Sequence, residues 1–323
     1  MSQPVVAEVV RSGVVEGHHY GAVVQTATDG SVSWSVGDVA RVILPRSTNK
    51  PLQALGMVRL GLDLPPELLA LVCASHSGEA FHVAGVRRIL ASAGLDESAL
   101  QTPADLPLED EEKLALLRAG GAAAPIWMNC SGKHAGMLAA CVVNGWDTAS
   151  YLDPTHPLQR AIADTFSELT GEPTVIAVDG CGAPLLGTST VGLARAFGRL
   201  ALGVDGSGRP DPAAARIAAA IRSHPTYVSG TRRDEAALLA AIPGAIGKGG
   251  AEACYAVALP DGRAFALKVD DGAARARPVV MAAALVRAGV DAEPGVDGAA
   301  VRRTGESPLL GGGRPVGEIR ACF

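Results

Sequence analysis

A chain of 323 residues can bury a full core, and 48% hydrophobic against 19% charged residues marks it as globular rather than disordered. Aromatics make up only 4%, so Ala, Val and Leu must fill the interior. A net charge of -5 without any Lys/Arg cluster argues against nucleic acid or an anionic membrane surface and favours a small-molecule substrate.

In chain order, Met1-Ser2-Gln3-Pro4-Val5 lacks the basic stretch and apolar run of a secretory signal, so a soluble, cytoplasmic protein is expected. The first β-type runs, 22–27 and 31–36, flank Thr28-Asp29-Gly30 and predict a hairpin. Val42-Ile43-Leu44 reads as extended and leads through Pro45-Arg46 into Ser47-Thr48-Asn49-Lys50, where an amphipathic helix begins. Helix-compatible patterns follow at Glu67 to Val72, Glu79 to Ala93, Asp110 to Leu117, Gly132 to Val143, Pro157 to Leu169 and Ala213 to Ile221. Stretches 205–211 and 291–298 read as loops. A second hairpin is predicted around Pro260-Asp261-Gly262, joining 254–259 to 263–269. The apolar patch at 279–286 stops at Arg287, too short to span a bilayer. Strands at both ends and helices between them read as α+β.

Ser47 and Lys50 are spaced so that both side chains lie on one helical face, where an amine can take the hydroxyl proton. A neutral lysine base needs burial or a nearby cation, and Lys248 could supply that cation. The same spacing also fits a helix-capping serine with a solvated lysine one turn on. Ser75-His76-Ser77 follows the apolar run 68–74 and reads as a cleft lining or a turn. Ile246-Gly247-Lys248-Gly249-Gly250 reads as a glycine turn with an exposed lysine, or as backbone that a ligand can approach closely.

Six cysteines are scattered along the chain (Cys73, Cys130, Cys141, Cys181, Cys254 and Cys322), which suits free thiols or metal ligands rather than a disulfide framework. Asn129-Cys130-Ser131-Gly132-Lys133-His134 and Asp179-Gly180-Cys181-Gly182 bring sulfur and nitrogen donors that suit zinc, and equally fit buried inert thiols. The Gly-Lys pair is not a phosphate-binding loop, because Trp127 and Met128 stand where its earlier glycine is required.

Read in order, Arg46-Ser47-Thr48-Asn49-Lys50-Pro51, Cys73-Ala74-Ser75-His76-Ser77, the two cysteine segments and Lys248 before glycine resemble the rhizobial-type L-asparaginases. The resemblance implies a serine β-lactamase-like α+β fold in one catalytic unit, 1–323. Its strands would come from about 1–45 and 245–323, with a helix-rich middle of about 50–240. It implies two Ser-Lys tandems, Ser47 with Lys50 and Ser75 with Lys248, acting on L-asparagine. It also implies one zinc per chain on Cys130, Lys133 and Cys181, affecting substrate binding. Asp179 would stand behind the metal, with His134 as an alternative or outer ligand, and a homodimer is allowed. Arg46 is the candidate fork for the substrate α-carboxylate, with Asp179 and His134 also on the substrate side. Gly182 departs from the polar residue of the rhizobial members.

Two rivals remain on these residues. A β-lactamase or penicillin-binding enzyme shares S-x-x-K, but Ser75-His76-Ser77 and Lys248-Gly249-Gly250 replace its further motifs. A non-catalytic zinc protein would use Cys130 and Cys181 for structure, and chelation would unfold it.

Overall fold

In the computed structural model, which describes residues 3–323, the two ends of the chain meet in one antiparallel sheet. The N-terminal end supplies β1 (Val5–Arg11), β2 (Val14–Thr26) and β3 (Val32–Val36). After β4 (Val42–Ile43) come helices α1 (Lys50–Arg59), α2 (Pro66–Val72), α3 (Ala80–Ser92), α4 (Asp110–Arg118), α5 (Ser131–Val143) and α6 (Pro157–Thr170). Strands β5 (Val175–Val178) and β6 (Pro184–Ser189) follow, then α7 (Thr190–Leu202), α8 (Pro212–Ser223), α9 (Pro225–Val228) and α10 (Asp234–Ala241). The chain returns with β7 (Ile246–Gly250), β8 (Cys254–Ala258) and β9 (Ala264–Val269), then α11 (Ala276–Arg287), α12 (Gly298–Thr304), β10 (Pro308–Gly311) and β11 (Arg314–Ala321).

The strand order is β10-β11-β1-β2-β9-β8-β7, with β3 on the far end of β2. This is the expected α+β arrangement of a sheet built from both chain ends. Both predicted hairpins form. Asp29 accepts the Ser31 amide at 2.9 Å and Gly30 takes φ +81° at one turn; Asp261 accepts the Arg263 amide at 3.0 Å and Gly262 takes φ +88° at the other.

Side chains of a strand alternate between faces, yet β7, β8 and β9 are buried at every position except Lys268. Both faces of this part of the sheet are therefore covered. Helix α7 packs against β2, β8 and β9, and α11 packs against β1, β9 and β11. No helix among the described residues is long and apolar enough to cross a membrane.

The middle of the chain is not only helical. Strands β4, β6 and β5 form a second, three-stranded sheet, with β6 buried throughout. Helix α7 is likewise absent from the sequence reading, because Gly192 and Gly198 dilute its signal. A Cβ on Gly198 would lie 2.6 Å from the Gly262 carbonyl oxygen, so glycine is what lets α7 lie against the β8–β9 turn.

Candidate active site

Ser47 sits at the end of the small sheet, where β4 runs into a single 3-10 turn, Arg46–Asn49, that passes directly into α1. Three residues per turn bring Ser47 and Lys50 into eclipse. Pro51 sits in the first helical turn, where its missing N–H breaks no bond. Thr48, Asn49 and Lys50 are buried while Ser47 is partly exposed. Arg46, just before it, is held at φ +55°, a conformation that costs a residue with a side chain on the order of 1 kcal/mol. Strain of this kind concentrates at functional sites.

Strand β7 explains the Lys248-Gly249-Gly250 run. A Cβ on Gly250 would stand 2.6 Å from the Pro45 carbonyl oxygen and 2.7 Å from Thr48 Oγ1, and one on Gly249 would stand 2.2 Å from Glu235 Oε1. Glycine lets the strand press against the Ser47 turn on one side and α10 on the other. The run is therefore a buried strand, not a turn with an exposed lysine.

The lysines are connected differently from the expected tandems. Lys50 Nζ donates to the Ala74 carbonyl at 2.6 Å and lies 3.0 Å from Ser75 Oγ, so the α1 lysine reaches the Ser75 segment beyond α2. No hydrogen bond joins it to Ser47 Oγ among the described residues. Lys248 Nζ lies 3.0 and 3.2 Å from the two Glu235 oxygens and 2.7 Å from the Gly249 carbonyl oxygen. The physical reason is burial: both members of the Lys248–Glu235 pair are out of water, where a charged lysine requires a countercharge.

Burial pushes the Lys248 pKa down to about 8, with help from the Lys50 charge and against the pull of Glu235. Burial also acts to raise Glu235, but Lys248 and Arg277 outweigh it and hold the carboxyl below its usual value. Arg277 in turn donates to Asp234 at 2.7 Å and lies over the Tyr255 ring, 5.2 Å from its centroid. Sequence reasoning missed Glu235 and Arg277. The available signal was Lys248 itself, since a lysine buried in a glycine strand demands an acid somewhere in the chain.

The second cluster joins the start of α5 to the β5–β6 connection. Lys133 Nζ donates to Cys181 Sγ at 3.2 Å, and Cys130 Sγ lies 3.3 Å from Asn129 Oδ1. A hydrogen bond from Cys181 holds the Cys130 pKa well below the ordinary thiol value, against burial and with help from Lys50 and Lys133. Burial opposes the Lys133 charge, but Cys181, Cys130 and Asp179 overcome it and raise its pKa.

Arg46 Nε donates to Asp179 Oδ1 at 2.8 Å, which ties the Ser47 turn to this cluster. Burial would raise the Asp179 pKa; Lys133 and Arg46 lower it further than that. His134 is fully buried, with Nδ1 2.7 Å from Tyr151 OH and Nε2 lacking a hydrogen-bond partner. Among the described residues no three His, Cys, Asp or Glu side chains converge on one point. A metal here would need the lysine as third donor.

Ser75 heads a histidine-rich layer. Ser131 Oγ donates to the Ile126 carbonyl at 2.9 Å, so the 2.8 Å contact from His76 Nε2 must carry the imidazole proton. His82 Nε2 donates to the Thr226 carbonyl at 3.0 Å, and the two rings stack at 5.3 Å. Burial holds His76 well below the ordinary value, takes His82 down to about 4 and lowers His134.

Below pH 6.5 the unfolded chain takes up protons on these histidines that the folded chain refuses. Stability present at neutral pH is therefore lost as pH falls, by up to about 1.4 kcal/mol per pH unit for each histidine. The melting temperature is expected to drop between pH 6.5 and 5, before carboxylates titrate. A thermal melt unchanged over that range would contradict the neutral buried imidazoles.

A broad groove of about 620 Å³ lies elsewhere, between α11, α12 and the β10–β11 hairpin. It contains none of the serines or lysines above. The candidate serines and lysines sit instead in the packed seam between the sheet and the helical region.

A partly exposed serine beside buried lysines, on a sheet joined to a helical middle, belongs with the amide hydrolases in class. Residues 7–321 match the family described as L-asparaginase II, and the chain belongs to that family. Among solved structures it is similar to a β-lactamase from Mycobacterium bovis, at 18% identity over 88% of this chain and 96% of that one, with a TM-score of 0.45. It is also similar to EstCE1, a hydrolase with promiscuous acyltransferase activity (15% identity, 82% and 89% covered, TM-score 0.40). A third is Mglu in its tris and glutamate form (12% identity, 89% and 63% covered, TM-score 0.40). No curated protein matches the chain.

Proposed function

We propose that the protein is an L-asparaginase that works through a Ser47 acyl-enzyme in the cytoplasm. The observation that carries the reading is the buried linkage of Lys50 to Ser75, one turn from Ser47 and beside the Lys248–Glu235 pair. Ser47 Oγ attacks the side-chain amide carbon of asparagine, and its proton passes through the Lys50–Ser75 link towards the departing nitrogen. Ammonia leaves, the β-aspartyl ester remains, and water cleaves it to L-aspartate while Ser47 regains its proton. Lys248 stays charged on Glu235 at neutral pH, which puts a buried cation close to the Lys50–Ser75 link.

Cys130, Lys133 and Cys181 fit a zinc ion. Lys133 Nζ lies 3.2 Å from Cys181 Sγ, the Cys130 thiol of the same cluster favours its anion, and His134 Nε2 is unpartnered. Zinc held there would act as a Lewis acid that orients the substrate's polar groups. Lys133 must lose a proton to bind metal, so zinc uptake should release protons.

About one zinc per chain is expected in the purified protein, lost from Cys130→Ala and from Cys181→Ala. Metal loss should mainly raise the KM for asparagine. Elemental analysis finding no metal in active protein, or full zinc in both variants, would remove the metal site and leave the serine chemistry standing.

Ammonia release from L-asparagine and L-glutamine, measured side by side with and without zinc, tests the activity. Failure with both amides, together with hydrolysis of a chromogenic β-lactam, would overturn it.

A further inference from the structure

Beside Ser47, a second strained segment faces Arg46. The connection from β7 to β8 turns at Glu252 and Ala253, which take φ +56° and +48°. Together with Arg46, they are three of the four non-glycine residues with positive φ among the described residues, and the two that reach solvent, Arg46 and Glu252, face each other at the mouth of the serine site. Consecutive left-handed residues turn the chain sharply between paired strands and aim the Glu252 side chain across the turn.

Its backbone carbonyl accepts Lys268 Nζ at 2.7 Å, which fixes the turn. A Cβ on Gly272 would come within 2.3 Å of Glu252 Oε2, so the carboxylate occupies space that only glycine leaves open.

The carboxylate itself is loosely held. Glu252 Oε1 lies 3.6 Å from Arg46 Nη1, too long for a hydrogen bond, and the side chain is 57% exposed. Asp179 differs: its side chain is 8% exposed and already accepts from Arg46 Nε and the Gly180 amide. An amino-acid amide brings an α-carboxylate and an α-ammonium to this mouth. The free nitrogens of Arg46 match the first, and Glu252 is the acid beside them that a ligand can still reach.

We propose that Glu252 is a specificity-determining residue that accepts the α-ammonium of the substrate, opposite the carboxylate held by Arg46. The inference rests on the amino-acid amide reading above. Glu252 would select zwitterionic amides over acids that lack the amino group, and the unpaired amine would be the penalty for losing it.

The test compares wild type, Glu252→Gln and Glu252→Asp on L-asparagine and on succinamic acid, the same amide without the α-amino group. The ratio of kcat/KM for asparagine over succinamic acid is expected to fall about 30-fold or more in Glu252→Gln, through KM, and to fall less in Glu252→Asp. An unchanged ratio, or equal losses on both substrates, would overturn the proposal. Calorimetric titration with L-asparagine on a Ser47→Ala background separates this from failure of the asparaginase reading. If wild type releases no ammonia, that reading fails, yet weaker asparagine binding on adding Glu252→Gln still supports the ammonium contact. Equal binding in both, or none in either, overturns it.

Discussion

Ser47→Ala is expected to lower ammonia release from L-asparagine by about 10³-fold or more, with a melting temperature close to that of the wild type. The hydroxyl is the proposed nucleophile, and Ser47 is partly exposed, so its loss leaves no core cavity and no orphaned buried donor. Lys50→Met should be nearly as damaging, because it removes the amine that lies 3.0 Å from Ser75 Oγ.

Combining Lys50→Met with Ser75→Ala should cost little more than either alone, since groups acting as one unit are not additive. A steady-state cycle on the four proteins reads this out. Multiplying losses would mean that the Lys50–Ser75 contact is structural and that proton transfer takes another route. Substantial turnover in Ser47→Ala would remove the nucleophile assignment itself.

Glu235→Gln is expected to be the most destabilising single substitution in the site. Lys248 and Glu235 are 0% and 1% exposed, and Arg277 Nη1 lies 3.9 Å from the same carboxylate. Removing that charge leaves buried Lys248 without a counterion, while Arg277 keeps Asp234, a loss of about 3–5 kcal/mol and a fall in melting temperature of about 5 °C. The Lys248 pKa, already down to about 8, should fall further because Glu235 no longer opposes burial.

Lys248→Met added to Glu235→Leu should recover part of the stability, since an apolar pair of similar volume carries no desolvation penalty. Denaturant titration of the single and double variants checks this. A Glu235→Gln protein as stable as wild type would mean that the buried pair is not formed. Activity should stay low in the double variant, because the cation beside Lys50 is gone.

Local chemistry that stands next to itself in the chain was legible. The two Asp-Gly hairpins follow from turn residues whose side chains bond their own backbone. Helices α2 to α6 and α8 follow from periodicity and flanking glycine and proline signals. The grouping of Ser47, Lys50, Ser75, Cys130, Lys133, Cys181 and Lys248 came from motif order and family resemblance, not from any spacing that sequence alone makes specific. The Arg46 strain and the small β4-β6-β5 sheet were not readable, because both depend on what the chain packs against.

The sequence by itself determined the α+β division, the helical middle and the residue types available for catalysis, since turn chemistry and periodicity act over a few neighbours. Only the tertiary structure decided who pairs with whom. Ser75 binds Lys50 because α1 and the segment after α2 converge, although they lie 25 positions apart. Lys248 pairs with Glu235 because burial forces a countercharge from 13 positions away. Glu252 meets Arg46 because the glycines of β7 let that strand close on the Ser47 turn, a fit set by missing side chains rather than by any pattern of present ones.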